Sequence, residues 1–171
     1  FAANQSLSTL DGSNGFKLNG PVVGLEPQFS VSSAGDVNGD GFDDLLIGRG
    51  GDGLSSIRSG VSYVVFGKAS GFDAQMELST LDGTNGFQLN GVASFDATGR
   101  SVSAAGDVNG DGFADILIGA LNADANGTDS GAAYLVFGKA SGFAANQNLS
   151  ALDGVTGFRV TVGTDGRVTD C

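Results

Sequence analysis

The chain has 171 residues, with 19 acidic and 8 basic side chains for a net charge of −11, and 30 of its residues are glycine. A pI near 4.1 excludes the basic face that phosphate binding needs, so nucleic acid is not an expected partner. The absence of histidine excludes His-based triads and His-ligated zinc, and no apolar run approaches the ~18 residues of a membrane span.

The chain opens Phe1-Ala2-Ala3-Asn4-Gln5, with no basic head or apolar stretch, so no signal peptide is read there. Leu10-Asp11-Gly12 then starts a unit that returns at Leu81-Asp82-Gly83 and Leu152-Asp153-Gly154, each time at an offset of 71. Two full units and a truncated third result. Identity between the full copies collapses at 21–29 against 92–100 and at 49–58 against 120–129. Gly, Pro, Asp and Ser clusters there predict surface loops.

Short apolar runs bounded by glycine predict buried strands. The first expected strand is 15–19, ahead of any complete unit. Leu45-Leu46-Ile47 and 61–66 follow, then 86–90. In the second unit the strands are 100–105, small and polar, then 115–119, 131–137 and 157–162. Four short antiparallel strands in ~71 residues predict an all-β fold of β-propeller blades, with the small first strand nearest a narrow channel. The expected organisation is 1–28 as the outer strand of a preceding blade and its connection, 29–91 as one blade, 92–162 as a second, and 163–171 as a tail. That tail forms a hairpin around 163–166 or a disordered end.

The sharpest chemistry lies between first and second strands. Asp36-x-Asn38-x-Asp40-Gly41-Phe42-x-Asp44 recurs as Asp107-x-Asn109-x-Asp111-Gly112-Phe113-x-Asp115. Side-chain oxygens at positions 1, 3 and 5 converge, glycine at 6 permits the sharp turn, and the Phe42 or Phe113 carbonyl adds a donor. An all-oxygen set favours Ca2+, one ion per loop, over magnesium or softer metals. An EF-hand needs an acid at position 12 and a following helix. Here position 12 is Ile47 or Ile118 and strand follows, so Asp44 and Asp115 are expected to close the sites. Position 8 is Asp43 in one copy and Ala114 in the other, so it is not required.

These residues, with the following Tyr-x-Val-Phe-Gly strand (Tyr63, Tyr134), resemble the FG-GAP repeat of integrin alpha-subunit propellers. The Leu-Asp-Gly-x-x-Gly-Phe spacer makes the likeness closer to FG-GAP repeats of large bacterial surface and secreted proteins. The resemblance implies a propeller, usually of seven blades, with calcium in the loop between the first two strands of a blade, and the ligands just named. Departures occur in the first unit. Phe95 to Gly99 supplies Phe-x-x-x-Gly where the first unit has Gly24 and Gln28, and Gly119-Ala120-Leu121 stands where it has Gly48-Arg49-Gly50.

Two blades leave faces that a neighbour must cover. The chain is therefore expected to adjoin blades of a longer propeller or to close a ring by self-association, with the strand at 15–19 completing a neighbour's blade. The functional expectation is a calcium-binding, extracellular or cell-surface interaction module of adhesion type, with a protein or glycan ligand. A purely structural scaffold is the alternative. No enzyme is expected, since the sequence offers no nucleophile–base pair, and Asp52, Asp124 and Asp129 read as solvated loop charges. Arg49-Gly50-Gly51-Asp52 is not an Arg-Gly-Asp motif, because a glycine intervenes. Asn4, Asn126 and Asn148 fit the glycosylation pattern, which matters only in a secretory eukaryote. Tyr63 and Tyr134 are expected in the core, and Cys171 is expected as a tail thiol with no partner in the chain.

Overall fold

The computed structural model describes residues 6–21, 28–51, 59–140, 142–162 and 168–170. Residues 52–58 of the expected 49–58 loop, Asp52 among them, together with Gly24, Asn4, the hairpin residues 163–166 and Cys171, lie outside them. The strands are β1 (Lys17–Asn19), β2 (Gln28–Gly35), β3 (Asp44–Gly50), β4 (Val61–Val65), β5 (Gln75–Glu77) and β6 (Gly86–Asn90). They continue as β7 (Thr98–Gly106), β8 (Asp115–Ala120), β9 (Ala132–Val136), β10 (Asn146–Asn148), β11 (Gly157–Val162) and β12 (Val168–Asp170).

Each repeat folds into one antiparallel meander. In the first blade β2, β3, β4 and β6 lie side by side, and in the second β7, β8, β9 and β11 do the same. β4 is buried along its whole length, Ser62 included, because a layer covers each of its faces. Leu46 and Val64 turn to the second blade, with Ala34, Phe87, Ile116 and Ile118 in the same core. Ile47, Val61, Tyr63 and Val65 turn the other way, onto Leu78, Leu81 and the layer holding Leu18, Phe72 and Met76. Tyr63 and Tyr134 are core residues, as their strand positions predict.

Three-residue strands in the spacers were not legible from pattern. β5 runs parallel to β1, and β10 runs parallel to β6 in the same register one repeat later: Lys17 faces Gln75, and Gln88 faces Asn146. Each spacer strand thus ties a unit to the outer strand of the unit before. Gln75-Met76-Glu77 and Asn146-Gln147-Asn148 carry no β-branched or aromatic residue, so β-propensity gives no warning of them. A 3-10 turn follows each, Leu78–Thr80 and Leu149–Ala151, burying Leu78 and Leu149. In the tail, β12 pairs antiparallel with β11, in keeping with the hairpin alternative.

The Leu-Asp-Gly turn is wired by its own side chains. The Asp82 carboxylate accepts from the Thr84 N–H at 2.8 Å, the Thr84 hydroxyl at 2.7 Å and the Asn85 N–H at 3.2 Å. Asp11 and Asp153 do the same for their own turns. Bonds to the ionised form, the side-chain hydroxyl foremost at Asp11 and Asp82 and the Thr156 N–H at Asp153, hold all three carboxyls below the usual 3.8. A depressed folded value means the turn's contribution is present above 3.8 and lost as pH falls through that lowered value. Carbon-13 titration of the three carboxyls should give midpoints below 3.8; midpoints at or above it would contradict this wiring.

Candidate metal loops

Each acidic loop bridges the first two strands of its blade, β2 to β3 and β7 to β8. The loop coils because its side chains serve its own amides. Asp36 accepts from the N–H groups of Gly39 at 2.7 Å, Asp40 at 3.0 Å and Gly41 at 2.9 Å. Asn38 Oδ1 accepts from Asp40 N–H at 2.9 Å, and Asp40 accepts from Phe42 N–H at 2.9 Å. Gly39 and Gly41 hold φ of 75° and 88°, the left-handed turn that favours glycine. Asp107, Asn109 and Asp111 repeat these bonds at 2.8–3.1 Å.

The position-9 acids sit at the base. Asp44 and Asp115 are fully buried, each with both oxygens engaged by backbone amides. Asp44 accepts from Val37 N–H at 2.9 Å and Gly67 N–H at 2.8 Å. Asp115 accepts from Val108 N–H at 2.8 Å and Gly138 N–H at 2.9 Å. These carboxylates therefore join the loop to the strand end at Gly67 or Gly138. Burial pushes the Asp44 carboxyl up to about 6, against the pull of the Gly67 and Val37 amides, with Asp40 and Asp36 adding a smaller push. In the cation-free chain this raised value favours the fold below 3.8, and that contribution is lost as pH rises through about 6. Carboxyl titration in chelator should place the Asp44 midpoint near 6; a midpoint near 3.8 would contradict this balance of burial against amide bonds.

The structure thus brings Asp36, Asn38 and Asp40 into one coil and sets Asp44 beneath it, joined through Val37. Among the described residues, no three His, Cys, Asp or Glu side chains stand close enough to hold an ion as placed. The donor chemistry nonetheless fits a hard cation. Every predicted side-chain donor is a carboxylate or an amide that offers an oxygen, and an ionised carboxylate has about four lone-pair sites, more than the amides use. Asn38 Nδ2 lies 3.0 Å from Asp40 Oδ2, and rotation of the amide exchanges its oxygen for that nitrogen.

One feature was not read from the sequence: the loops touch across the blade boundary. Ala114 N–H donates to the Asp36 carbonyl at 2.9 Å, and Lys139 N–H donates to the Val37 carbonyl at 2.9 Å. The Phe113 ring lies on Gly39, and any side chain there would collide with it. The main-chain partners of Ala114 and Lys139 have no side-chain signature, so residue pattern could not reveal them.

Sheets of four antiparallel strands, stacked through a shared core and tied by spacers, define β-propeller-type blades. The chain carries two FG-GAP repeats: the family model for the FG-GAP repeat matches residues 29–65 and 98–136, one match in each blade. A phosphatidylinositol-glycan-specific phospholipase D of Dictyostelium discoideum is 32% identical over 154 residues, covering 80% of this chain and 16% of that protein. Integrin alpha-2 of Mus musculus is 32% identical over 106 residues, covering 61% of this chain and 8% of that protein. The chain thus spans a small part of the length of both relatives.

Proposed function

We propose that the chain is a calcium-stabilised, non-enzymatic extracellular or cell-surface module that makes adhesion-type contacts. The observation that carries this reading is the pair of matching oxygen-rich loops, each locked to its blade and joined to one another by the bond from Ala114 N–H to the Asp36 carbonyl. Asp36, Asn38, Asp40, the Phe42 carbonyl and Asp44 would hold one Ca2+. Asp107, Asn109, Asp111, the Phe113 carbonyl and Asp115 would hold the second. The ion supplies charge neutralisation for converging carboxylates, which otherwise repel one another.

The integrin relative supports the adhesion-type reading, and abundant extracellular calcium suits loops of modest affinity. The phospholipase relative shares this segment over 16% of its length, which suits a non-catalytic part. Recognition is assigned to the copy-specific loops, of which 120–129 is ordered by bonds within itself and to Ser130. There Asp124 accepts from Asp129 N–H at 2.7 Å and Ser130 Oγ accepts from Asn126 N–H at 2.9 Å.

Titration calorimetry with calcium tests the metal reading, with two bound ions per chain expected and no heat from an Asp40→Ala, Asp111→Ala double variant. Calcium should also move the Asp44 carboxyl midpoint down from about 6, because a bound cation favours the ionised form. An unchanged midpoint would remove Asp44 from the ligand set. A protein and glycan array probed with and without calcium tests the contact role, and a lack of any calcium-dependent ligand would leave the scaffold alternative.

A further inference from the structure

The two blades are repeats of one sequence, yet their faces differ in what covers them. Val37 is 1% exposed and its equivalent Val108 is 55% exposed; Leu46 is buried and its equivalent Leu117 is 37% exposed. The uncovered face of the second blade holds a groove of about 650 Å³, lined among others by Ser101, Gly119, Ala120, Ser130, Ala132 and Ala133.

On the first blade the equivalent positions are Ser30, Gly48, Arg49, Ser59, Val61 and Ser62. That site is filled by the start of β7. Thr98 N–H donates to the Ser59 carbonyl at 3.1 Å, and Ser30 Oγ donates to the Gly99 carbonyl at 2.9 Å. Gly60 and Thr98 form a parallel bridge. Gly99 has φ +85°, and a Cβ there would come within 2.7 Å of the Val61 carbonyl and 2.9 Å of Ser62 Oγ. The segment therefore needs two things: a donor N–H at position 98 and no side chain at position 99.

We infer that the groove is a docking seat for the first strand of another FG-GAP blade, one that carries glycine at the position of Gly99. The seat's polar groups repeat: Ser101 stands for Ser30, and the Ser130 carbonyl for that of Ser59. Its floor is roomier, with Ala133 in place of Ser62. The free first strand of a second copy is the wrong occupant. Its corresponding residues are Pro27, which has no N–H, and Gln28, which has a side chain. The outer edge of β9, where β1 of a second copy would pair, is already taken by β11. The selection thus favours neighbouring blades of the glycine type over a ring of identical copies.

The test gives a second copy the missing features. Sedimentation velocity in calcium should show wild type as monomer. A Pro27→Thr, Gln28→Gly variant should associate head to tail, with about a tenfold gain for each restored backbone hydrogen bond. Adding Ala133→Arg should return it to monomer by filling the groove. A second arm leaves the chain unaltered. A peptide of residues 95–103 should shift the amides of Gly119, Gly131 and Ala133, and the same peptide with Gly99→Ala should not. A well-folded double variant that stays monomeric overturns the seat, as do equal shifts from both peptides. Wild-type association abolished by Ala133→Arg would also overturn the selection against copies. Mass and amide shifts are independent of calcium stoichiometry, so this proposal and the metal reading fail separately.

Discussion

Calcium should raise the melting temperature of the chain by about 5–10 °C for each site held at a hundredfold its Kd, and chelator should remove the gain. A ligand at that excess stabilises by about 2.7 kcal/mol. For a chain of this size each kcal/mol moves the midpoint by about 2–4 °C. Differential scanning calorimetry reads the shift directly. Asp40→Ala with Asp111→Ala should abolish it, since each removes one position-5 donor. Asp43→Ala should leave it intact, because the second loop has Ala114 at that place and otherwise repeats the first. A melting curve indifferent to chelator would mean these are turn loops held by their own amides alone. Each single variant should also reach the blade boundary. The Asp36 and Val37 carbonyls of the first loop accept from the Ala114 and Lys139 N–H groups of the second blade, so Asp40→Ala should loosen the blade boundary as well as one loop. Asp111→Ala should loosen the same boundary from the other side, because Asp111 holds the Phe113 N–H and the second loop contributes the Phe113 ring and the Ala114 N–H to it.

Much of this molecule was legible because its signals are local. Glycine-bounded apolar runs of three to six residues set β3, β4, β8 and β9. The 71-residue offset then made every assignment twice. The acidic loops were legible because Asp, Asn and Gly at fixed spacing fold a coil by bonds within nine residues. What stayed hidden depends on a neighbour. β5 and β10 are polar three-residue strands that exist because an outer strand of the preceding unit offers them an edge. β7 starts at Thr98, earlier than the small, polar run expected at 100–105, because Thr98 and Gly99 are held by Ser59 and Ser30 of the other blade. The loss of Phe-x-x-x-Gly from the first unit was visible as a departure. Its meaning came only from seeing that Gly99 lies on the Val61 carbonyl.

Phe143→Ala should be the most damaging single core substitution among the spacer residues, and its repeat equivalent Phe72→Ala should cost clearly less. Both rings stack on the phenylalanine of the preceding outer strand: Phe143 on Phe87 at 4.6 Å and Phe72 on Phe16 at 4.2 Å. Both carry a lysine 5.0 Å from the ring centre, Lys139 and Lys68. The local contacts are thus equal, and the difference lies in depth. Phe143 also meets Phe66 edge-on at 5.4 Å and belongs to the core that both blades share. Phe72 is half-buried and only borders the smaller core cluster. Truncating a buried phenylalanine costs about 3–5 kcal/mol when the cavity cannot collapse. Phe143→Ala should fall in that range, whereas Phe72→Ala should lie below it because one side of its site is open to relaxation. Urea unfolding of the calcium-loaded chain gives both values. The slope should also fall for Phe143→Ala if the blades then unfold separately, since each step exposes less surface. Equal costs would mean that the stacked pair alone, rather than the joining of two blades over it, sets the worth of this position.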